Sequence, residues 1–240
     1  MKIVALSGWK GSGKDMIADY LVKHHGFEKL SFASVLKDMT AIQYNIPRNH
    51  FDDRDLKEAP ILTLPVTSED NWSDAILEMV YPHLRTKDGK APDYFIIYKG
   101  MAYGTVSLPA HSKDGPLLNL TAALYHTPRS LLIIEGCTKR SIATDYWVKS
   151  ALANAKPDGL YVISDARFKS EMRQLRDAIG PVNVLSVRIE RFEETSSVDP
   201  SERDLDGWLF DAYLNNKESE GTTKSEVFEQ MDKFLELLWV

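Results

Sequence analysis

A three-layer α/β/α fold with a mainly parallel sheet is predicted for this 240-residue chain by three features. Short apolar runs, Ile3–Leu6, Tyr161–Ile163 and Asn183–Arg188, alternate with segments of helical periodicity, the pattern of parallel strands joined by helical crossovers. The first run ends in a glycine-rich turn that opens a helix. The second ends in a carboxylate, Asp165, ahead of another helix, and ligands of such sheets collect at the carboxyl ends of the strands.

Bulk properties narrow the classes. Apolar residues at 43% and charged residues at 27% are ordinary globular values, and the length suits one domain, 1–240, with a sizeable core. A net charge of −6 argues against a general nucleic-acid coat protein. The single cysteine, Cys137, permits no intramolecular disulfide and fits a reducing compartment; it reads as a packing residue. No secretory leader precedes the first strand and no apolar run approaches the ~20 residues of a membrane span. The expectation is a cytoplasmic protein with no membrane and no nucleic-acid partner.

From the amino end, Ile3-Val4-Ala5-Leu6 is a buried strand, and Gly8-Trp9-Lys10-Gly11-Ser12-Gly13-Lys14 fits G-x-x-x-x-G-K, the phosphate-binding P-loop pattern. Glycines at 8, 11 and 13 let backbone N–H groups turn inward on a phosphate chain, and the helix behind adds the positive end of its dipole. Lys14 reaches the outer phosphates as a point charge. The position after the lysine, where Ser or Thr is expected, is Asp15, a hard oxygen ligand suited to Mg²⁺. The helix then runs from Gly13 to His25, with Met16, Ile17, Tyr20 and Leu21 on one face and Gly26 as its stop. His24-His25 reads as a polar helix end.

Lys29–Ala33 is predicted as the second strand, followed by a helix carrying Val35, Leu36, Met39 and Ile42. Lys37 lies on that helix, either a solvated lysine or a site residue. The FDDRDLKE stretch, residues 51–58, reads as a solvated helix end or loop. A helix is expected over Trp72–Tyr81, ending before Pro82, then two strands, Tyr94–Tyr98 and Thr105–Leu108, possible arms of a hairpin. Leu117–Tyr125 is a helix candidate. Thr127 followed by Pro128 is an N-cap with proline at the first helical position, so 128 onward is predicted helical up to Gly136. Another helix is predicted from Asp145 to about Ala155. After the strand Tyr161–Ile163 comes a helix with Met172, Leu175, Ala178 and Ile179 on one face and Gly180 as its stop. The strand Asn183–Arg188, an acidic loop from Glu190 to Asp206, a short strand within Trp208–Leu214 and an amphipathic helix around Val227, Phe228, Met231, Phe234 and Leu238 complete the chain.

Asp165 at a strand end is the kind of carboxylate that supports Mg²⁺ in phosphoryl-transfer enzymes, and Arg167 can spread positive charge over the transferring group. Glu171 follows one helical turn later. The plain alternatives are an N-cap for Asp165 and a surface ion pair for Arg167 and Glu171. Arg129, on the predicted helix after Pro128, completes a kit of Lys14, Mg²⁺, Arg167 and Arg129.

In order along the chain, Gly8–Asp15 with its GKD ending, KLSFASVLKDM, FDDRDLKE, TPRSLL…GCT…DYWVK and VISDARFKSEMRQLR resemble the deoxynucleoside monophosphate kinases of tailed bacteriophages, a branch of the P-loop kinases. The resemblance covers about half of the chain. It implies the P-loop kinase form of the α/β/α fold, with about 45–125 as an inserted lid or monophosphate-binding region. It also implies ATP- and Mg²⁺-dependent transfer of the γ-phosphoryl group to a deoxynucleoside 5′-monophosphate, supplying phage DNA synthesis. By this likeness Gly8, Lys10, Gly11, Ser12, Gly13, Lys14, Asp15 and Met16 hold ATP, Asp15 and Asp165 the metal, and Lys14, Asp165 and Arg167 act in transfer. Lys37, Arg129, Gly136, Thr138, Trp147, Asp165, Arg167 and Glu171 surround the acceptor. Met16 stands where members often have a hydroxyl, and Gly11 where some carry a basic residue. The alternatives are a P-loop kinase of another phosphorylated metabolite, or a P-loop ATPase switch. A homodimer is the default oligomer.

Overall fold

The structure, a computed structural model, describes residues 1–61, 78–92, 94–98, 101–106, 120–192 and 203–239. The chain divides into two units, Met1–Val35 with Ala143–Val240, and Leu36–Ile142.

The first unit is built on a five-stranded sheet of β1 (Lys2–Ser7), β2 (Glu28–Leu30), β7 (Leu160–Ile163), β8 (Val184–Glu190) and β9 (Ala212–Asn215). Their order is β2-β7-β1-β8-β9, and every neighbouring pair is parallel. Ile3, Val4, Ala5 and Leu6 have no exposed surface, so β1 is covered on both faces, as expected of an unbroken apolar run. Val4 and Leu6 join Val162, Leu185, Val187 and Leu214 in one cluster, closed by Ile17, Ala18 and Leu21 of α1 (Lys14–His25) and by Val227 and Met231 of the carboxyl-terminal helix, Lys224–Trp239. Alternation along the strands turns Ile3, Ala5, Tyr161 and Ile163 to the opposite face. There the helix Lys169–Ile179 buries Met172 and Leu175, and its Arg176 donates to Ser186 Oγ (3.1 Å) on β8. The result is a mainly parallel α/β sheet flanked by helices, compatible with the three-layer expectation.

The second strand is shorter than predicted. Ser31 Oγ accepts from the backbone N–H of Ser34 (3.0 Å), so Ser31 caps the next helix, and Phe32 and Ala33 open α2 (Phe32–Tyr44) instead of extending β2. The helix predicted from Asp145 is Tyr146–Leu152. The last strand, expected within Trp208–Leu214, is Ala212–Asn215. Of the acidic segment, residues 193–202 lie outside the described residues. His25 Nε2 meets Asp232 Oδ1 at 2.8 Å, and Tyr20 donates to the same carboxylate, which ties α1 to the last helix.

In the second unit β3 (Arg85–Thr86), β4 (Tyr94–Tyr98), β5 (Met101–Val106) and β6 (Leu120–Tyr125) form an antiparallel sheet in the order β3-β6-β5-β4. The predicted hairpin is present as β4 and β5; Ser107 and Leu108 lie outside the described residues. The helix predicted over Leu117–Tyr125 is not formed by its described part. Residues 120–125 are β6, held between β5 and β3, and ladder pairing on both sides overrides the helix propensity of Leu and Ala there. Of Trp72–Tyr81, residues 78–80 are helical and continue through Pro82 as a 3₁₀ turn, Tyr81–His83; 72–77 lie outside the described residues.

Helix α3 (Pro128–Ile142) begins where the Thr-Pro pair predicts. Thr127 Oγ1 accepts from Ser130 N and Ser130 Oγ from Thr127 N (2.9 Å), a reciprocal cap. It does not stop at Gly136, because an interior glycine costs a helix only about 1 kcal/mol and Gly136 faces Leu36, whose Cδ2 would lie 3.5 Å from an added Cβ. The FDDRDLKE stretch is partly packed: Phe51 is fully buried and leads a core with Leu124, Leu131 and Val80. Cys137 is half-buried, and burial pushes its thiol up. Among the described residues no helix is long and apolar enough to cross a membrane. The remaining three helices are numbered α4 (Tyr146–Leu152), α5 (Lys169–Ile179) and α6 (Lys224–Trp239).

Leu21, buried between α1, the sheet and α6, tests the first core. Leu21→Ala should lower the free energy of unfolding by about 2–5 kcal/mol in urea titration, the range for a truncated leucine whose cavity cannot collapse.

Candidate functional site

In the first unit the glycine-rich turn leaves the carboxyl end of β1 and enters α1, with Gly13 as the helix N-cap. Two of its positions require glycine. Gly13 has φ +102°, and a Cβ there would sit 2.8 Å from Asn216 Nδ2; that amide donates to Ser12 O (2.8 Å) and holds the turn from β9's end. At Gly8, φ +151°, a Cβ would lie 2.8 Å from the carbonyl oxygen of Ile189. The turn is therefore pressed against β8 and β9 and its backbone path is fixed. Lys14 Nζ donates to the carbonyls of Gly8 and Trp9, curling over the turn it follows. Lys10 and Gly11 are exposed, Ser12 is buried, and Met16 packs against the core below α1.

Two carboxylates stand beside this turn. Asp15 Oδ1 accepts from Ser164 Oγ (2.9 Å), and Ser164 precedes Asp165 at the end of β7. Asp165 does not cap the helix that follows it. Its Oδ2 accepts from Ser31 Oγ (2.8 Å) and from the backbone N–H of Ala33 (2.7 Å), while its Oδ1 is buried and has no hydrogen-bond partner among the described residues. Ser12 Oγ is a second buried oxygen of this kind. A buried acceptor left without a donor costs about 1–3 kcal/mol, and a hard cation or the donor groups of a ligand would satisfy it. The donor set of carboxylates and hydroxyls fits Mg²⁺, which keeps most of its waters and takes one or two carboxylates together with substrate phosphates. Among the described residues no group of three or more His, Cys, Asp or Glu could hold a metal ion, so a dedicated protein cage is absent there.

Glu171 is 5% exposed, and its carboxylate accepts from the backbone N–H of Arg167 (2.9 Å) and Phe168 (3.1 Å). It holds the turn that carries Arg167 through backbone bonds, not as a surface ion pair. A small cavity at the strand ends is lined by Gly8, Lys14, Asp165, Arg167 and Arg188. Trp147 is 4% exposed on α4, its ring edge-on to Tyr146 at 5.0 Å, and is packed in the unit.

Lys37, Arg129, Gly136 and Thr138 belong to the second unit. Lys37 Nζ donates to Asp52 (2.9 Å), which Arg48 also engages; the two cations, Arg48 first, hold the Asp52 carboxyl down at about 2. Arg129 and Arg85 share the two oxygens of Glu58. Gly136 and Thr138 lie along α3.

Sequence reasoning missed two residues. Lys57, half-buried in a 3₁₀ turn beside Glu58, has its ammonium pushed down to about 8, by burial first and then by the charges of Arg129 and Lys37. Its position in FDDRDLKE was the available signal, hidden because a charged run usually means a solvated surface. Arg188, on β8, was read only as the end of a strand. Missed also was a cleft of about 220 Å³ in the first unit, with Trp9, Arg191, Phe192 and Lys217 among its walls, at the ends of β8 and β9.

A lysine held below its ordinary value binds its proton less tightly in the folded chain than in the unfolded one. Between pH 8 and 10.5 the unfolded chain therefore holds more of that proton, and this group's contribution makes stability rise with pH across the window. Lys57→Met should remove that rise in a thermal-unfolding series and leave the midpoint at pH 7 at or above that of the unaltered chain; a lower midpoint would make Lys57 a packing residue. Searched against family models and curated proteins, the chain matches none.

Proposed function

We propose that the protein is an ATP-dependent nucleotide kinase that transfers the γ-phosphoryl group to a deoxynucleoside 5′-monophosphate, giving the diphosphate. The observation that carries the reading is the fixed glycine turn between the central strand β1 and α1, with the buried, unsatisfied Asp165 oxygen at the neighbouring strand end. Such a turn directs backbone N–H groups and a helix N-terminus at phosphate, a use that fits the P-loop pattern. The ordered motifs that resemble phage deoxynucleoside monophosphate kinases supply the choice of acceptor.

In this reading Gly8, Lys10, Gly11, Ser12, Gly13 and Lys14 hold the donor phosphates, with Met16 packing the helix behind them. The cleft walled by Trp9, Phe192, Arg191 and Lys217 takes the donor nucleoside, its aromatic and guanidinium faces suited to a base. Asp15 and Asp165 would hold Mg²⁺, which when bound neutralises charge on the phosphate oxygens. Phosphoryl transfer needs positioning and charge stabilisation more than covalent help, and Lys14 and Arg167 supply cations where charge gathers. Glu171 keeps Arg167 in place. Lys37, Lys57 and Arg129 form a group of positive charge suited to the acceptor phosphate, with Gly136 and Thr138 as further acceptor-side residues of the same unit. The protein acts on small molecules, in the cytoplasm, and as a homodimer in the default case.

A coupled ADP-release assay with ATP and Mg²⁺ against each deoxynucleotide, each ribonucleotide and no acceptor tests the reading. Stimulation by one or more deoxynucleoside monophosphates is expected; hydrolysis independent of acceptor would replace it with an ATPase switch, and silence would point to another phosphorylated metabolite. Lys14→Ala should lose at least a hundredfold in turnover with an unchanged unfolding midpoint. Arg167→Ala should lose turnover while keeping its affinity for ATP, measured by equilibrium titration.

A further inference from the structure

Arg188 is a cation at the end of the sheet, held by two hydrogen bonds, that the reading above does not use. It pairs in register with Ser7, the last residue of β1, so it stands beside the point where the glycine turn departs. Its side chain is only 12% exposed. One guanidinium nitrogen donates to Ser7 Oγ (3.1 Å) and the other to Asp206 Oδ1 (2.7 Å). The group lies over the ring of Trp9, 5.5 Å from its centroid, and 5.8 Å from that of Phe210. Trp9 Nε1 donates to the same Asp206 oxygen at 3.3 Å, so the carboxylate holds both the guanidinium and the second residue of the turn. Asp206 also has Arg203 at 3.8 Å.

Two hydrogen bonds use two of the five N–H groups of a guanidinium. The other three have no partner among the described residues, although the side chain is nearly buried. Arg188 also lines both spaces of the unit, the small cavity with Lys14, Asp165 and Arg167 and the larger cleft with Trp9, Phe192 and Lys217. A flat, pre-oriented fork with spare donors between those spaces is suited to the oxygens of a polyphosphate. Its counter-ion, Asp206, lies at the same place and opposes an incoming anion.

We propose that Arg188 is a donor-phosphate residue, binding the polyphosphate chain of a nucleoside triphosphate from the β8 side of the glycine turn, with Asp206 as the positioning residue that holds its guanidinium between Trp9 and Phe210. The inference rests on the kinase reading and predicts opposite effects for the two partners. Arg188→Met removes the donor fork. Asp206→Asn keeps an amide oxygen for Arg188 and Trp9 but removes the opposing charge.

The test is equilibrium titration of the full chain with inorganic triphosphate and with ATP, each variant paired with its unfolding midpoint, and with Lys14→Ala as the reference. Arg188→Met should weaken both ligands tenfold or more, Arg188→Lys should recover part of the loss, and Asp206→Asn should bind as well as the unaltered chain or several-fold tighter. Where Arg188→Met fails to fold, Arg188→Lys decides, with at least a threefold loss expected at an unchanged midpoint. Full affinity in the Arg188 variant that folds, beside a Lys14→Ala that has lost it, overturns this role and leaves the kinase reading standing. Equal losses in Arg188→Met and Asp206→Asn also overturn it, making the pair a brace of the turn. No binding of either ligand by the unaltered chain removes the kinase reading itself, and this proposal with it.

Discussion

Burial of β1 on both faces is the constraint from which the first unit's site follows. Four successive side chains without exposed surface cannot shift register by one residue without exchanging faces, since side chains alternate across a strand. The strand therefore ends at one place, Ser7, and everything after it is located by that end. Gly8 abuts the Ile189 carbonyl, Gly13 abuts Asn216, and Ser7 receives Arg188. Three contacts to β8 and to the end of β9 thus set the path of seven residues that contain almost no core side chains of their own. The order β2-β7-β1-β8-β9 then puts Asp165 on the other side of the same strand end, one strand away.

The second unit carries its chemistry differently. Its charged residues come from turns and helix faces, and each of two carboxylates is shared by two cations: Asp52 by Lys37 and Arg48, Glu58 by Arg85 and Arg129. Most of these pairs are exposed enough that each contributes little to stability. Lys57 is a half-buried cation pushed down first by burial and then by the charges of Arg129 and Lys37, with Asp52 and Glu58 opposing the shift. Folding alone would favour an uncharged side chain there. A residue that opposes stability where a neutral one would serve is the kind of local inconsistency found at functional positions.

The sequence made β1, the glycine turn, α1, β7 and the helix after it legible, because each is specified locally by an apolar run, a glycine spacing or a 3.6-residue period. What escaped was decided by distant partners. Residues 120–125 read as helix by composition and became β6 because β3 and β5 lie on either side. Gly136 read as a stop and lies inside α3, opposite Leu36 of α2. Ser31 read as strand and became a cap, tied as well to Asp165 across 134 residues of sequence. In the site, Asp15, Asp165 and Arg167 could be named from motif and position. Arg188 and Lys57 could not, since one looks like a strand residue and the other like part of a charged surface, and only burial and partners distinguish them.

The two carboxylates, Asp165 after the end of β7 and Asp15 in the first turn of α1, share a design that explains why serines stand next to them. Asp165 spends Oδ2 on Ser31 and the Ala33 N–H, and Asp15 spends Oδ1 on Ser164. Each acid is thereby oriented by a hydroxyl donor that carries no charge. A lysine or arginine in either serine's place would orient the acid equally well, but would neutralise the negative potential that attracts a hard cation. A hydroxyl leaves that potential in place and still removes the freedom of the carboxylate to rotate. One oxygen of Asp165 remains buried and unpaired at the cost of a desolvated acceptor, and the bonds on its other oxygen hold it there. That desolvation cost is borne by the same sheet end that fixes the glycine turn, so orientation at the acids and path at the turn have a single source in β1 and its neighbours.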